Sequence, residues 1–116
     1  MKVSTSLSKP YRTARIGSRS YAYFHKKTNP VFTTTMSYCK GRQYLLSMEL
    51  YYGGKWYDAG SQYFGLGTKG KSVVTLTGTH ETGYRMRVRA SYVNDMSGDI
   101  VNSTTHGAWK YFYFTK

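Results

Sequence analysis

The chain has 116 residues, of which 40% are hydrophobic and 17% aromatic, and its 17 Lys and Arg residues oppose five Asp and Glu residues for a formal net charge of +12. This length suits one domain with its own hydrophobic core, and the aromatic content excludes a disordered segment. The charge predicts a polyanionic partner, such as nucleic acid, an anionic cell-wall polymer, an acidic polysaccharide or anionic lipid headgroups. The alternative is that the charge serves solubility alone.

The N-terminal residues 1–19 contain no acid and are rich in Ser and Arg. We expect them to form a flexible basic arm ahead of a single domain at residues 20–116. They lack the apolar region of a signal peptide, and no apolar run approaches the roughly 20 residues of a transmembrane segment. The abundance of Ser, Thr, Tyr and Gly favours a secreted protein, and a cytoplasmic protein is the alternative.

Helical patterns are interrupted throughout by β-branched residues, aromatic residues and glycines, so the sequence predicts an all-β domain. We expect a single antiparallel β-sandwich of about seven strands, because turn signals recur at the spacing typical of that architecture. The predicted strands are residues 20–25, 31–38, 43–52, 55–59 with an extension to 64, 72–77, 84–93 and 108–115.

The glycine pair Gly53-Gly54 predicts a two-residue hairpin turn, because both positions tolerate a positive φ. The third and fourth strands should therefore pair antiparallel, with Glu49 opposite Asp58. Two facing acids are the arrangement used by glycoside hydrolases, but an acid on a basic surface more commonly pairs with Lys or Arg. We therefore expect no catalytic residues and a protein that is not an enzyme.

Residues 65–72 match the phosphate-loop pattern GxxxxGK[ST] letter for letter. That loop functions by opening a helix whose amide groups face the phosphates. Residues 73–77 instead have the composition of a strand, so we interpret the segment as a basic, glycine-rich turn between strands. Lys69 and Lys71 remain candidates for weak anion binding in this turn.

The strand at residues 84–93 carries Arg85, Arg87 and Arg89 at alternate positions, which we call the arginine row. Alternate residues of a strand lie on one face, roughly 6.5 Å apart. That spacing suits a repeating anionic polymer, and guanidinium groups bind phosphate and carboxylate through paired hydrogen bonds. The row predicts a ligand-binding face, and an ordinary solvated face is the alternative. The opposite, inward face would carry Tyr84, Met86, Val88 and Ala90.

Aromatic residues crowd the hairpin of the third and fourth strands, where Trp56 and Tyr57 are the expected stacking residues for a sugar ring or a nucleobase. Core packing is the alternative for this group. Residues 109–114, from Trp109 to Phe114, are aromatic on both faces and need cover on both sides. They predict a central strand, an oligomer contact or a binding surface.

Histidines and the single cysteine give no metal-binding pattern, because His25, His80, His106 and Cys39 lie far apart in the chain. We therefore predict no metal and no cofactor. Since Cys39 has no partner cysteine, no disulfide forms within the chain. We expect its thiol to be half-buried and structural, at the end of the second strand.

Residues 76–90, LTGTHETGYRMRVRA, resemble a strand, corner and strand of immunoglobulin and fibronectin type III domains, with Tyr84 in place of the corner tyrosine. The resemblance covers the second half of the chain well and the first half by strand count alone. Met86 stands where antibody domains carry their second cysteine, and the third strand lacks a tryptophan. The resemblance therefore implies an architecture and the role of a binding module.

These features predict a non-enzymatic, exported module that binds an anionic polymer or a cell-surface glycan through the arginine row. One alternative is a nucleic-acid-binding protein that uses the same basic face. Another is a structural or protein-interaction sandwich that oligomerises through residues 109–114, since exposed strand edges pair readily with other chains.

Overall fold

The computed structural model describes residues 3–36, 43–67, 69–78, 80–93 and 101–116. These residues form ten β-strand segments and no helix. Accordingly, no described segment is a helix of the length and apolar character needed to span a membrane. The strands are β1 (Val3–Leu7), β2 (Arg12–Ile16), β3 (Arg19–His25), β4 (Val31–Met36), β5 (Gln43–Tyr52), β6 (Lys55–Gly65), β7 (Lys71–Thr75), β8 (Arg85–Val93), β9 (Val101–His106) and β10 (Lys110–Thr115).

Two sheets pack against each other. The smaller sheet has the strand order β1-β4-β7, and the larger sheet has the order β2-β3-β10-β8-β5-β6. β9 and β10 follow one another along the same edge of β8, so the larger sheet is six strands wide. β3 and β10 pair in parallel, and the other described pairs are antiparallel. The all-β fold with two sheets is confirmed, whereas the predicted number of strands is too low.

The prediction that residues 1–19 form a flexible arm is wrong for residues 3–16. β1 pairs with β4 over its whole length, and β2 forms a hairpin with β3. Thr5 is fully buried, and its hydroxyl lies 3.1 Å from that of Thr34. The basic charge of this segment is compatible with a strand, and its β-branched residues at strand spacing, such as Val3 and Thr5, favour β pairing.

The hairpin between β5 and β6 is confirmed. Gly53 and Gly54 have φ values of 60° and 86°, and Glu49 lies opposite Asp58 as the turn predicts. The register shifts by one residue beyond this pair, which leaves Ala59 as the extra residue of a β-bulge. Cys39 lies outside the described residues.

The core between the sheets contains most of the residues predicted to face inward. Met86, Val88 and Ala90 of β8 are buried, whereas Tyr84 precedes the strand, is half-buried and packs near the ring of Tyr52. The largest fully buried side chains belong to the aromatic group Phe24, Phe32, Tyr44, Phe112 and Phe114. Burying an aromatic side chain of this kind stabilises a fold by about 1.5–3 kcal/mol.

The sheets approach each other closely where β1 meets the junction of β9 and β10. The amide of Gly107 donates a 2.8 Å hydrogen bond to the carbonyl of Ala90. A Cβ atom at Gly107 would lie 3.1 Å from Val3 Cγ1 and 3.3 Å from the Ala90 carbonyl oxygen. Any side chain at this position would push Val3 and Ala90 away, so the close contact requires glycine.

His80 connects the segment before β8 with the loop before β4 and with β10. Its Nε2 atom lies 2.9 Å from Asn29 Oδ1, and its ring stacks on Phe114 with 4.3 Å between centroids. The side chain is 8% exposed. Burial lowers the pKa of His80, and a hydrogen bond with the backbone of Thr28 partly opposes this effect. The neutral imidazole is therefore the form that the folded protein favours.

The substitution Gly107→Ala should lower the free energy of unfolding by about 1–3 kcal/mol, the usual cost of inserting an extra methyl group into a packed site. Gly65→Ala is the matched control, because a Cβ atom there would meet nothing within 4 Å and its φ is not positive. Urea unfolding of both variants measures the difference. Equal stabilities would contradict the close approach of β1 to Gly107.

The stability of the protein should fall as the pH drops below 6.5, the ordinary pKa of histidine. Because the folded-state pKa of His80 is lowered, its contribution is complete above 6.5 and is lost as the pH falls through the folded-state value. Urea unfolding of the native protein and of His80→Gln, at pH values on both sides of this window, isolates the effect. An identical pH dependence in the two proteins would contradict it.

Candidate binding face on the larger sheet

The arginine row lies on the outer face of the larger sheet, because the alternate residues of β8 are buried in the core. The register sets Tyr111 of β10 opposite Arg87 on one side and Glu49 of β5 opposite Arg87 on the other. Tyr113 lies opposite Arg85. All three arginines are half-buried, since aromatic side chains of the neighbouring strands lie beside them.

Tryptophan rings and guanidinium groups alternate across this face. The Arg87 guanidinium lies 4.3 Å from the ring centroid of Trp56 and 4.0 Å from that of Trp109. The Arg89 guanidinium lies 4.4 Å from the Trp109 centroid. We call the series Trp56, Arg87, Trp109 and Arg89 the indole–guanidinium stack. Each such cation–π contact contributes about 0.5–2 kcal/mol, depending on its exposure to solvent.

The three arginines of the row are not equivalent, because Glu49 forms an ion pair with Arg87. The Nε atom of Arg87 donates a 2.8 Å hydrogen bond to Glu49 Oε1, and Nη2 donates to the same oxygen. The two side chains are 18% and 27% exposed. Arg87 is therefore a fixed cation that is already partly neutralised. The expectation that an acid of this hairpin pairs with Lys or Arg is confirmed for Glu49.

Arg89 differs from Arg87 in its partners. Its Nε atom is buried and has no hydrogen-bond partner among the described residues. Burial lowers the pKa of Arg89, the carboxylate of Glu49 raises it, and the charge of Arg87 lowers it. The Arg89 guanidinium is therefore held mainly by its contact with Trp109 and serves the packing of this face.

A cleft of about 310 Å³ opens on the same face, between the turn of β2 and β3 and the hairpin of β5 and β6. We call it the arginine cleft. It collects three arginines and four aromatic residues, which are Arg19, Arg85, Arg87, Tyr21, Tyr51, Trp56 and Tyr111. The guanidinium groups of Arg19 and Arg85 lie over Tyr111 and Tyr51, each 5.2 Å from the ring centroid.

The cleft is electrostatically unbalanced. The pair of Arg87 and Glu49 is the one ion pair among the described residues, so Arg19 and Arg85 have no described carboxylate partner. Guanidinium groups held by stacking on tyrosine rings keep their hydrogen-bonding edges for other acceptors. The arrangement can therefore bind carboxylate, sulfate or phosphate oxygens.

Tyr21 lies on the outer face of the larger sheet yet is only 2% exposed, because neighbouring side chains cover it. Its ring packs 5.3 Å from that of Tyr111. Burial raises the pKa of the Tyr21 hydroxyl, and the charge of Arg85 opposes this shift most strongly. The hydroxyl therefore stays protonated at neutral pH and can donate a hydrogen bond.

Sequence reasoning missed two residues of the cleft, Arg19 and Tyr21. Tyr51 belongs to the aromatic group of the β5–β6 hairpin, and Tyr111 belongs to residues 109–114, for which a binding surface was one of three predictions. Arg19 was missed because residues 1–19 were assigned to an arm. The period-two alternation of Arg19, Tyr21 and Tyr23 is the signal that could have identified it.

The other predicted ligand-binding residues lie apart from the cleft. Tyr57 follows Trp56 in β6 and so points to the opposite face of the sheet, where it is 51% exposed. Lys69 belongs to the connection between β6 and β7, and Lys71 begins β7 in the smaller sheet. Both lysines are exposed, so residues 65–72 join two strands as predicted, at a distance from the arginine row.

The aromatic segment at residues 109–114 contributes a central strand. β10 pairs with β3 on one side and with β8 on the other. Phe112 and Phe114 enter the core, whereas Trp109 and Tyr111 join the outer face. The hypothesis that this strand pairs edge-to-edge with another chain is wrong, because both of its edges are occupied.

Among the described residues, the side-chain types used in hydrolysis and metal binding are engaged separately. Asp58 accepts a hydrogen bond from the amide of Gly60 at 3.1 Å, and Glu49 accepts from Arg87. Ser91 Oγ lies 2.6 Å from His106 Nδ1, but Ser91 is 1% exposed. Within the described ranges, no three His, Cys, Asp or Glu side chains are arranged to hold a metal ion.

Comparisons with known proteins returned no relative. No protein-family model matches the chain, and no match was found among curated proteins or among solved structures.

Proposed function

We propose that this protein is a non-enzymatic, exported binding module with an immunoglobulin-like sandwich fold, and that it binds an anionic polymer or cell-surface glycan in the arginine cleft. The proposal rests on the positions of three cations. Arg19 and Arg85 have no described acidic partner, and they line the same cleft as the fixed guanidinium of Arg87. Aromatic rings surround all three. Such a site offers charge for the acidic groups of a ligand and apolar surface for its rings.

The strand order supports the immunoglobulin-like assignment. Immunoglobulin sandwiches place strands A, B and E in one sheet, and strands G, F, C and C′ in the other. β1, β4 and β7 have the order of the first group, and β10, β8, β5 and β6 have the order of the second. Tyr84 directly precedes β8, the strand in the position of F, where such domains carry their corner tyrosine.

The volume and shape of the cleft favour recognition of one acidic unit at a time along a polymer. A cleft of about 310 Å³ lies at the small end of the range of ligand pockets, roughly 300–1,000 Å³. Arg12, whose guanidinium lies 4.9 Å from the ring centroid of Tyr23, extends the cationic surface beyond the cleft. A polymer could therefore contact several cations of this face in succession.

Nucleic acid is the second candidate, because interleaved arginines and aromatic rings are also the features of single-strand binding surfaces. The two ligand classes differ in salt response. Affinity for nucleic acid falls steeply with salt as condensed counterions are released. Stacking on a sugar face depends less on ionic strength, so the salt dependence separates the two candidates.

Replacing Arg19 and Arg85 together by alanine should weaken binding to an anionic polymer at least about tenfold, since each charge-assisted hydrogen bond contributes about 1.5–3 kcal/mol. Lys69→Ala/Lys71→Ala is the matched control, because it removes two positive charges at a distance from the cleft. Titration of heparin, polygalacturonate, a neutral glucan and single-stranded DNA, at low and physiological salt, measures the effect. Equal losses in both double variants would mean that binding reflects net charge alone.

Glu49→Gln should strengthen binding about threefold or more, because the Glu49 carboxylate competes with the ligand for Arg87 and a hydrogen bond to a charged group contributes more than one to a neutral group. Glutamine keeps an oxygen that can accept from Arg87. Asp58→Asn is the matched control, since it removes an acid opposite Glu49 that does not pair with Arg87. Weaker binding by Glu49→Gln alone would mean that Glu49 orients Arg87 for the ligand.

A further inference from the structure

As far as the described residues show, the sandwich is closed along one side and open along the other. On the closed side β1 contacts β8 and β10. On the open side lie β6 and β7, each at the end of its sheet. A groove runs between these two strands in adjoining parts of about 310 and 220 Å³, which share Met48, Leu76 and Thr77. We call it the interstrand groove.

The lining of the interstrand groove is mainly apolar. The buried residues Phe32, Leu46 and Val88 form its floor, so it opens directly onto the hydrophobic core. Phe64 on the side of β6 and Val74 on the side of β7 are partly buried and form its walls. Apolar side chains that enter the groove would therefore extend the existing core.

The free edge of β7 lies beside this groove. The amide of Leu76 donates to the carbonyl of Pro30, and the amide of Met36 donates to that of Gly70. In the antiparallel register of β4 and β7, these bonds direct the backbone groups of Ser72 and Val74 towards β4. The backbone N–H and C=O groups of the alternate residues, Lys71, Val73 and Thr75, therefore point away from β4.

No described strand pairs with this edge of β7. Val73, at its centre, is 59% exposed. A row of unpaired N–H and C=O groups is a template for a further strand. An apolar groove next to such a row accepts every second side chain of that strand, because side chains alternate between the two faces.

We propose that the interstrand groove binds an extended segment of another protein, which adds to the smaller sheet as a strand beside β7. Its backbone pairs with Lys71, Val73 and Thr75. Its alternate apolar side chains enter the groove against Val74 and Leu76. The smaller sheet thereby gains a fourth strand, and the open side of the core is covered.

The charges near the groove determine the chemistry of the partner. Lys69 and Lys71 are exposed at and just before the start of β7, beyond the lining of the groove, whereas Glu81 lines the groove beyond the end of β7. The segment therefore carries carboxylates at the end that lies beside the lysines and no carboxylate at the end that lies beside Glu81. A second copy of this chain is a poor occupant, because each copy has a formal charge of +12 and the two would repel each other. The partner is therefore an acidic protein with an extended, alternately apolar segment.

The probe is a fluorescein-labelled synthetic peptide of about eight residues, a typical strand length, with valine at alternate positions and two glutamates at one end. Fluorescence polarisation should detect saturable binding. Thr75→Pro should weaken binding at least about tenfold, because it removes an edge N–H without touching the hydrogen bonds to β4. Thr75→Val keeps the N–H and the β-branched shape, and should bind as the native protein does. Thermal unfolding verifies that both variants fold.

Four results would overturn the proposal. The first is that the alternating peptide does not bind. The second is equal binding by Thr75→Pro and Thr75→Val. The third is equal binding of a peptide with the same composition but with its valines at helical spacing, which would show that strand geometry plays no part. The fourth is self-association of the native protein that Thr75→Pro abolishes, which would make a second copy the occupant.

Discussion

Strand β8 has a packed layer on each of its faces, and the positions of the other elements follow from this constraint. Met86, Val88 and Ala90 fill the core between the sheets. Arg85, Arg87 and Arg89 project to the other side, where three like charges in a row would repel one another. The outer face relieves this repulsion with aromatic rings and with Glu49. β5, β6 and β10 supply these groups, so their register against β8 determines both the fold and the candidate site.

The indole–guanidinium stack gives the cations of this face fixed orientations. A guanidinium held between two indole rings loses little further freedom when an anion binds, which lowers the entropic cost of association. Glu49 occupies part of the hydrogen-bonding capacity of Arg87, whereas Arg19 and Arg85 have no described acid beside them. The cleft thus combines one preorganised cation with two others that remain to be neutralised. On the proposed function, this difference is what separates the arginine cleft from a generally basic surface.

The two candidate interaction surfaces lie on different parts of the sandwich and differ in chemistry. The arginine cleft uses the outer face of the larger sheet, and its contacts are charged and aromatic. The interstrand groove lies between the sheets, where β6 and β7 leave the core partly uncovered. The closed side depends on Gly107, which lets β1 approach β8. Because the smaller sheet is half as wide as the larger one, closing one side of the sandwich leaves the other side uncovered by any described strand.

Local patterns in the sequence determined the all-β class, the seven strands that were predicted, the Gly53-Gly54 hairpin and the opposite faces of β8. These features depend on period-two alternation and on the φ preferences of glycine, both of which act between near neighbours. Only the tertiary structure decided that Trp109 stacks between Arg87 and Arg89 and that Arg19 reaches the arginine cleft. It also decided that Lys69 lies apart from that cleft, in the connection between β6 and β7. Such contacts join residues far apart in the chain, through pairs such as β3 with β10. Alternation specifies which face a side chain occupies, but strand order and register decide which neighbour it meets.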